Sequence, residues 1–211
     1  MKFTICYFFV AFFCIGISSV SFGQKKSVKV FENFSADWVE IDADEVFKIT
    51  LKTSASNQLK LTVFSEGEYL QDINVHTELQ ENRLLVSTAY PEILTSGYDK
   101  LSAHKVFSVS LVIEIPKSKK ILITSNIASV FAKGKYAYFE AELGAGRCEL
   151  KNFTGNALIN TFKGNVYVET SQSNIKATSN HGKVYIPKNN TIGKEIRIKS
   201  IYGDILVKNP Q

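Results

Sequence analysis

Residues 121–132 read ILITSNIASVFA, and the same twelve-residue layout returns as FEAELGAGRCEL (139–150), ALINTFKGNVYV (157–168), IKATSNHGKVYI (175–186) and IRIKSIYGDILV (196–207). The copies begin at offsets of 18, 18, 18 and 21 residues. Aligned, they give four apolar columns. Before the turn these are Ile121, Phe139, Ala157, Ile175, Ile196 and Ile123, Ala141, Ile159, Ala177, Ile198. After the turn they are Val130, Cys148, Val166, Val184, Ile205 and Ala132, Leu150, Val168, Ile186, Val207. At 45% apolar content, twenty apolar positions would arise by chance about once in ten million. The interleaved positions, such as Glu140, Lys176, Arg197 and Glu142, Thr178, Lys199, are mostly polar. Each copy is therefore a pair of strands with an inside and an outside.

A further column holds Ala128, Gly146, Gly164, Gly182 and Gly203, where a bend with positive φ costs glycine little. Ser125, Thr161, Ser179 and Ser200 form a corner column, broken by Leu143, whose hydroxyls suit turn backbone groups. Two architectures produce this pattern. In a parallel β-solenoid each copy is one rung, and equivalent residues stack at about 4.8 Å. In an antiparallel meander each copy is a hairpin. Large and small residues alternate along Ile123, Ala141, Ile159, Ala177, Ile198, and outward Tyr167 would lie directly above Tyr185. Both features favour a parallel solenoid of about 18 residues per rung. The three extra residues in PKNNTIGKE (187–195) are read as a bulging loop that leaves the stack unchanged.

Working outward, residues 24–116 carry short segments of period two, among them Val39-x-Ile41, Phe47-x-Ile49-x-Leu51, Leu59-x-Leu61-x-Val63 and Val109-x-Leu111-x-Ile113-x-Ile115. Turn formers separate them, and Pro116 closes the last. Residues 90–105 lack alternation and read as a loop. The chain divides into 1–23, a strand-rich portion at 24–116, and the repeats at 117–211. The first segment has the layout of a secretory signal: Lys2, an apolar core from Phe3 to Ile17, and Ser21-Phe22-Gly23 at the cleavage site. Its apolar run is shorter than the roughly 18–20 residues of a membrane span. An exported protein, periplasmic or at the cell surface, is expected, with no membrane span after cleavage. Removing Cys6 and Cys14 would leave Cys148 without a disulfide partner.

Nine Lys/Arg against three Asp/Glu make residues 151–211 basic. Export and the lack of an RNA-binding motif argue against nucleic acid and toward polyanionic envelope material, though lysines also keep sheet surfaces soluble. The ending SFGQ, the opening VFENFSADWVEIDADEVFKITLKT, then LLVST and VSLVIEIPKSKKILITSNIASVFAKG, followed by glycine-punctuated repeats, resemble the auto-transporter adhesin families with the head GIN domain. Related exported β-repeat domains of Bacteroidetes-type bacteria share the layout. The resemblance covers nearly the whole chain after residue 23. It implies a right-handed β-solenoid with a strand-rich N-terminal part and an adhesin-like role, and it assigns no binding residues.

Chemistry finds little support. Glycoside hydrolysis needs two carboxylates across one bond; Glu140 and Glu142 share a strand face, but the columns continue into Arg197, Lys176 and Lys199, which suggests charge balance of a Glu140–Arg197 kind. Asp42, Asp44 and Glu45 lack the glycine and distal glutamate of a calcium loop. His76, His104 and His181 are scattered, without zinc spacing. Cys148 sits in an inward column and reads as core. What remains is surface. The outward column Phe131, Glu149, Tyr167, Tyr185, Leu206 is apolar for a solvent face, suited to sugar rings or a protein unless the N-terminal strands cover it. Tyr167, Tyr185, Lys176, Arg197 and Lys199 are the candidate binding residues. No cofactor or metal is expected. The leading expectation is a non-enzymatic envelope module binding a surface glycan or protein. A carbohydrate-active enzyme, or a structural or signalling accessory, is the alternative. Oligomeric state leaves no trace in the sequence.

Overall fold

A computed structural model describes residues 25–67, 74–89, 107–171, 173–188 and 193–210. The expected signal segment at 1–23 and the expected loop at 90–105 lie outside the described residues. The chain is all-β. Its strands are β1 (Lys25–Phe31), β2 (Trp38–Asp42), β3 (Lys48–Ser54), β4 (Leu59–Gly67), β5 (Asn74–Gln80), β6 (Arg83–Ala89), β7 (Phe107–Pro116), β8 (Lys120–Ser125), β9 (Ser129–Leu143), β10 (Cys148–Thr161), β11 (Val166–Thr170), β12 (Ser173–Ser179), β13 (Val184–Tyr185), β14 (Lys194–Ser200) and β15 (Ile205–Lys208). All fifteen belong to one mixed sheet that does not close.

The expected columns become hydrogen-bonded registers. Val130 pairs with Cys148 and Cys148 with Val166, and on the other half of each copy Ile121 pairs with Phe139 and Phe139 with Ala157, all parallel. The long strands β9 and β10 serve both halves, each bending midway at a register shift near Gly134 and Gly155. The inward side chains of the two halves merge into one core that includes Phe139, Ile159, Val168, Ile198 and Val207. The N-terminal strands extend the same sheet. Val39 of β2 pairs with Ile121, and Ile49 of β3 with Val130. Strands β6 and β7 then lie in parallel on β2 and β3. Parallel order ends there: β4 pairs antiparallel with β7, β1 with β4, and β5 with β6. The expected parallel stack is thus part of one mixed sheet, whose antiparallel pairs all fall in the N-terminal portion.

Two expectations about the stack fail at its C-terminal end. Val166 is paired with Ile205, and Ile205 with Val184, so the last copy lies between the third and the fourth. The other half agrees, since β14 separates β10 from β12. Tyr167 and Tyr185 therefore do not lie on adjacent strands; Leu206 stands between them. The size alternation breaks as well, because Ile159 meets Ile198 and only then Ala177. The stack is therefore not left unchanged across the longer connection expected to bulge at 187–195, of which residues 189–192 lie outside the described residues.

Burial supplies a physical reason for this order. The last copy presents Ile196, Ile198, Ile205 and Val207, whereas the fourth presents Ile175, Ala177, Val184 and Ile186. That is a surplus of three carbons, worth about 2 kcal/mol when buried. The larger set takes the enclosed position, with Ile205 at 1% exposure, and Val184 is left 41% exposed at the end.

Rungs approach closely at the turns. A Cβ on Gly203 would lie 1.9 Å from the Gly164 carbonyl oxygen, and one on Gly182 would lie 2.1 Å from that of Gly203. Gly164, at φ 139°, meets the Gly146 carbonyl in the same way. Contact, more than dihedral preference, is the shared reason for this column. The hydroxyl column holds the same turns. Ser125 accepts the Ala128 N–H at 3.1 Å, Ser179 the Gly182 N–H at 2.9 Å and Ser200 the Gly203 N–H at 2.8 Å.

Replacing Gly203 by Ala forces backbone apart between two rungs and is expected to cost about 1–3 kcal/mol, measured by urea unfolding. Order along the stack is tested by paired cysteines. Tyr167→Cys/Leu206→Cys should oxidise to a disulfide, since adjacent strands lie about 4.8 Å apart. Tyr167→Cys/Tyr185→Cys, two strands apart, exceeds the ~7 Å reach of a disulfide and should stay reduced.

Candidate functional site

Alternation along each strand sends the odd partners of the core columns outward. On the half containing β3, β9, β10, β11, β15 and β13, one outward column reads Thr50, Phe131, Glu149, Tyr167, Leu206, Tyr185 in paired order. A groove of ≈ 760 Å³ opens over its C-terminal end, lined by Tyr167, Leu206 and Tyr185 with Arg147, Lys151 and Lys183 at its margins. The described N-terminal strands continue the sheet edge to edge, and among the described residues none before Arg147 lines the groove. Tyr185 is 60% exposed, while Tyr167 is half-buried between its neighbours.

Cations accompany the rings. Lys208 lies 5.9 Å from the Tyr167 ring centre, and Lys48 and Arg147 lie 5.3 and 4.9 Å from that of Phe131. Glu149, within the aromatic column, is engaged by Lys151 at 2.6 Å and more loosely by Arg147 at 3.9 Å. Asp204 accepts the Lys183 backbone N–H at 2.7 Å and so fixes the turn instead of facing the groove as a free anion.

The other three candidates fall on the outward face of the opposite half. Lys176 and Arg197 are register partners and both reach the Glu195 carboxylate, at 3.2 and 2.9 Å. These contacts hold Glu195 below the usual carboxylate range, hydrogen bonding from Arg197 being the main cause. Lys199 lies apart from them, bordering a groove of ≈ 570 Å³ with Asn160, Phe162 and Glu142. The fold thus brings Tyr167 and Tyr185 into one groove and sets Lys176, Arg197 and Lys199 behind it.

The expected Glu140–Arg197 balance does not form, because Leu158 lies between them in the register. Glu140 instead accepts the Tyr138 hydroxyl at 2.8 Å. Burial first, and then this carboxylate, push the Tyr138 phenol up to about 12. Asp44 and Glu45 clasp the next turn: Asp44 accepts the Asn126 N–H at 3.0 Å, and Glu45 receives the Asn126 amide at 2.7 Å. Their carboxylates organise a turn. Among the described residues, no three His, Cys, Asp or Glu gather as metal ligands, and no helix is long and apolar enough to cross a membrane.

Two surface features escaped sequence reading. Phe162, Tyr202 and His181 project from three stacked turns, with Tyr202 5.5 Å from Phe162 and 4.7 Å from His181, the latter pair stacked with nearly parallel rings. His181 and Tyr202 share one alignment position and Phe162 stands one residue earlier, so the repeat hints at the pair while the fold adds the third ring. The second is a row of lysines beside the aromatic column: Lys52 pairs with Lys133, and Lys133 with Lys151. Lys133, Lys151 and Lys208 each follow the last inward residue of a copy, a periodicity present in the sequence but hidden by Glu169 and Pro187 at the same position.

No family model and no curated protein matches the sequence. Solved structures do. A Clostridium sporogenes structure described as a "putative cell adhesion protein" superimposes with a TM-score of 0.64 at 19% identity, over 89% of this chain and all of the other. It shows a shared fold. A Bacteroides fragilis "putative adhesin" matches over 88% of this chain and 97% of its own, at 13% identity and a TM-score of 0.37, too shallow an overlap to carry a comparison.

Cys148 is fully buried beside Val130 and Val166, and burial, with a smaller effect from Glu149, pushes its thiol up to about 12. It belongs to the core. In the native protein it should resist a thiol reagent at pH 8 and react only after unfolding. Its raised value also fixes a sign. Between about pH 9 and 12 the unfolded chain releases a proton that the folded chain retains, so stability should fall as pH rises through that window. Tyr136, also raised mainly by burial, acts in the same direction. Urea midpoints measured across pH 8–11 check this.

Proposed function

We propose that this is an exported, non-enzymatic, adhesin-like binding module of the cell envelope, and that its ligand is a surface glycan held in the Tyr167–Leu206–Tyr185 groove. One observation carries the reading: two tyrosines and a leucine from three adjacent strands share an open groove whose margins are cationic. Tyrosine rings offer a flat apolar face to the C–H side of a sugar and a hydroxyl to its rim. Nucleic acid has no part in this reading. The name of the Clostridium sporogenes relative, a "putative cell adhesion protein", points the same way. Lys176, Arg197 and Lys199 supply a separate basic contact on the far face, with Glu195 tempering the first two.

In the same reading, the parallel registers through β8–β15 and β2–β3 support a right-handed solenoid-like stack for residues 117–211, continuous with a strand-rich portion at 24–116. Residues 1–23 are its export signal, and their removal takes Cys6 and Cys14 away and leaves Cys148 without a disulfide partner.

Glycan-array binding by the wild-type protein, at least ten-fold weaker in Tyr167→Ala/Tyr185→Ala with unchanged circular dichroism, is the expected result. Full retention of binding in that variant would remove the groove from the reading. Depolymerisation of a surface polysaccharide, abolished by Glu140→Gln or Glu142→Gln, would replace it with an enzyme. Stoichiometric capture of one envelope protein without any glycan would favour the protein-binding alternative.

A further inference from the structure

We propose that the groove's ligand is an acidic polysaccharide lying along the stack, across the strands, with its rings on the aromatic column and its anionic groups on the lysine row. The inference rests on the glycan reading above and specifies the ligand's charge and direction.

The lysine row is the observation. Lys52, Lys133 and Lys151 are direct register partners on the three consecutive strands β3, β9 and β10, and Lys208 continues the row on β15 beyond Glu169. Glu169 interrupts the column, but its carboxylate is turned to the Asn152 N–H at 3.3 Å. Like charges directly opposite one another in a sheet are destabilising, and these strands are about 4.8 Å apart. The outer pair are partly compensated, Lys52 by Glu114 at 3.1 Å and Lys151 by Glu149 at 2.6 Å. Lys133, between them and exposed, has no ion pair among the described residues. Protection of a sheet edge does not explain the row, because β3, β9 and β10 each have a strand on both sides.

The row also has the right neighbour. Lys133 and Lys151 lie two residues from Phe131 and Glu149 on the same strand face, and Lys208 lies two from Leu206. An aromatic and a cationic column therefore run side by side, about 7 Å apart. A sugar ring stacked on one can place an exocyclic carboxylate or sulfate at the other. The step from rung to rung is close to the length of one sugar residue, so a polymer running along the stack meets equivalent contacts repeatedly. A compact ligand would use one rung and leave the repulsion elsewhere unrelieved.

Titration calorimetry with four polymers tests this: polygalacturonate for carboxylates, dextran sulfate for sulfates, neutral dextran, and polyglutamate as an acidic chain without rings. The wild-type protein should bind at least one acidic polysaccharide ten-fold or more tighter than dextran, and the affinity should fall with added salt. Lys133→Gln should weaken binding about two- to five-fold with a melting temperature unchanged or raised. Lys133→Gln/Lys151→Gln/Lys208→Gln should weaken it ten-fold or more. Equal affinity for dextran and dextran sulfate, or full binding by the triple variant, would overturn the acidic ligand while leaving the glycan reading intact. Polyglutamate binding as tightly as the acidic polysaccharides, with Tyr167 and Tyr185 dispensable, would overturn the polysaccharide. Binding of none of the four, together with a blank glycan array, would overturn both.

Discussion

The closest constraint in this molecule is backbone against backbone at the turns. Successive rungs sit so near that the glycines at 164, 203 and 182 leave no room for a side chain facing the next carbonyl. That contact fixes the register of the strands on either side, and register fixes everything else: which residues enter the core, which face outward, and which outward residues become neighbours. A slip of one residue would exchange core and surface along a whole strand. Apolar columns and corner hydroxyls cooperate with the glycines, the first by gaining burial, the second by satisfying turn amides that water could not reach.

From that register the candidate site follows without further design. A column one residue out of phase with the core becomes an aromatic strip, and the column two residues farther along the same face becomes a lysine strip. Neither is built by a dedicated loop. Each is a row of outward positions that the fold places a strand's width apart, which gives the molecule repetitive, one-dimensional chemistry better suited to a polymer than to a small molecule. The side chains that might have made a reaction centre are engaged otherwise: Glu140 with Tyr138, Asp44 and Glu45 with Asn126, Cys148 with the core.

The unusual element is the order of the last two copies. By placing its more apolar copy inside and its less apolar copy at the end, the chain shields the better core and leaves Val184 and Tyr185 toward solvent. The same exchange sets Leu206 between the two tyrosines, widening the aromatic strip by one rung. Structure and candidate function are thus coupled at one point, the order of β13 and β15.

By itself the sequence determined the all-β class, the strand pairs, the four core columns, the hydroxyl corner and the burial of Cys148, because period-two alternation and an 18-residue repeat are local signals that any register of the copies must honour. It also marked Tyr167 and Tyr185 as outward. Only the tertiary structure decided that the fifth copy precedes the fourth in space, that Leu158 stands between Arg197 and Glu140, that the described N-terminal strands extend the sheet, and that Lys52 joins Lys133. These are pairings between segments far apart in the chain. Repeat copies are nearly equivalent partners for one another, so their order is settled by summed burial over the whole stack, a quantity no single stretch of residues contains.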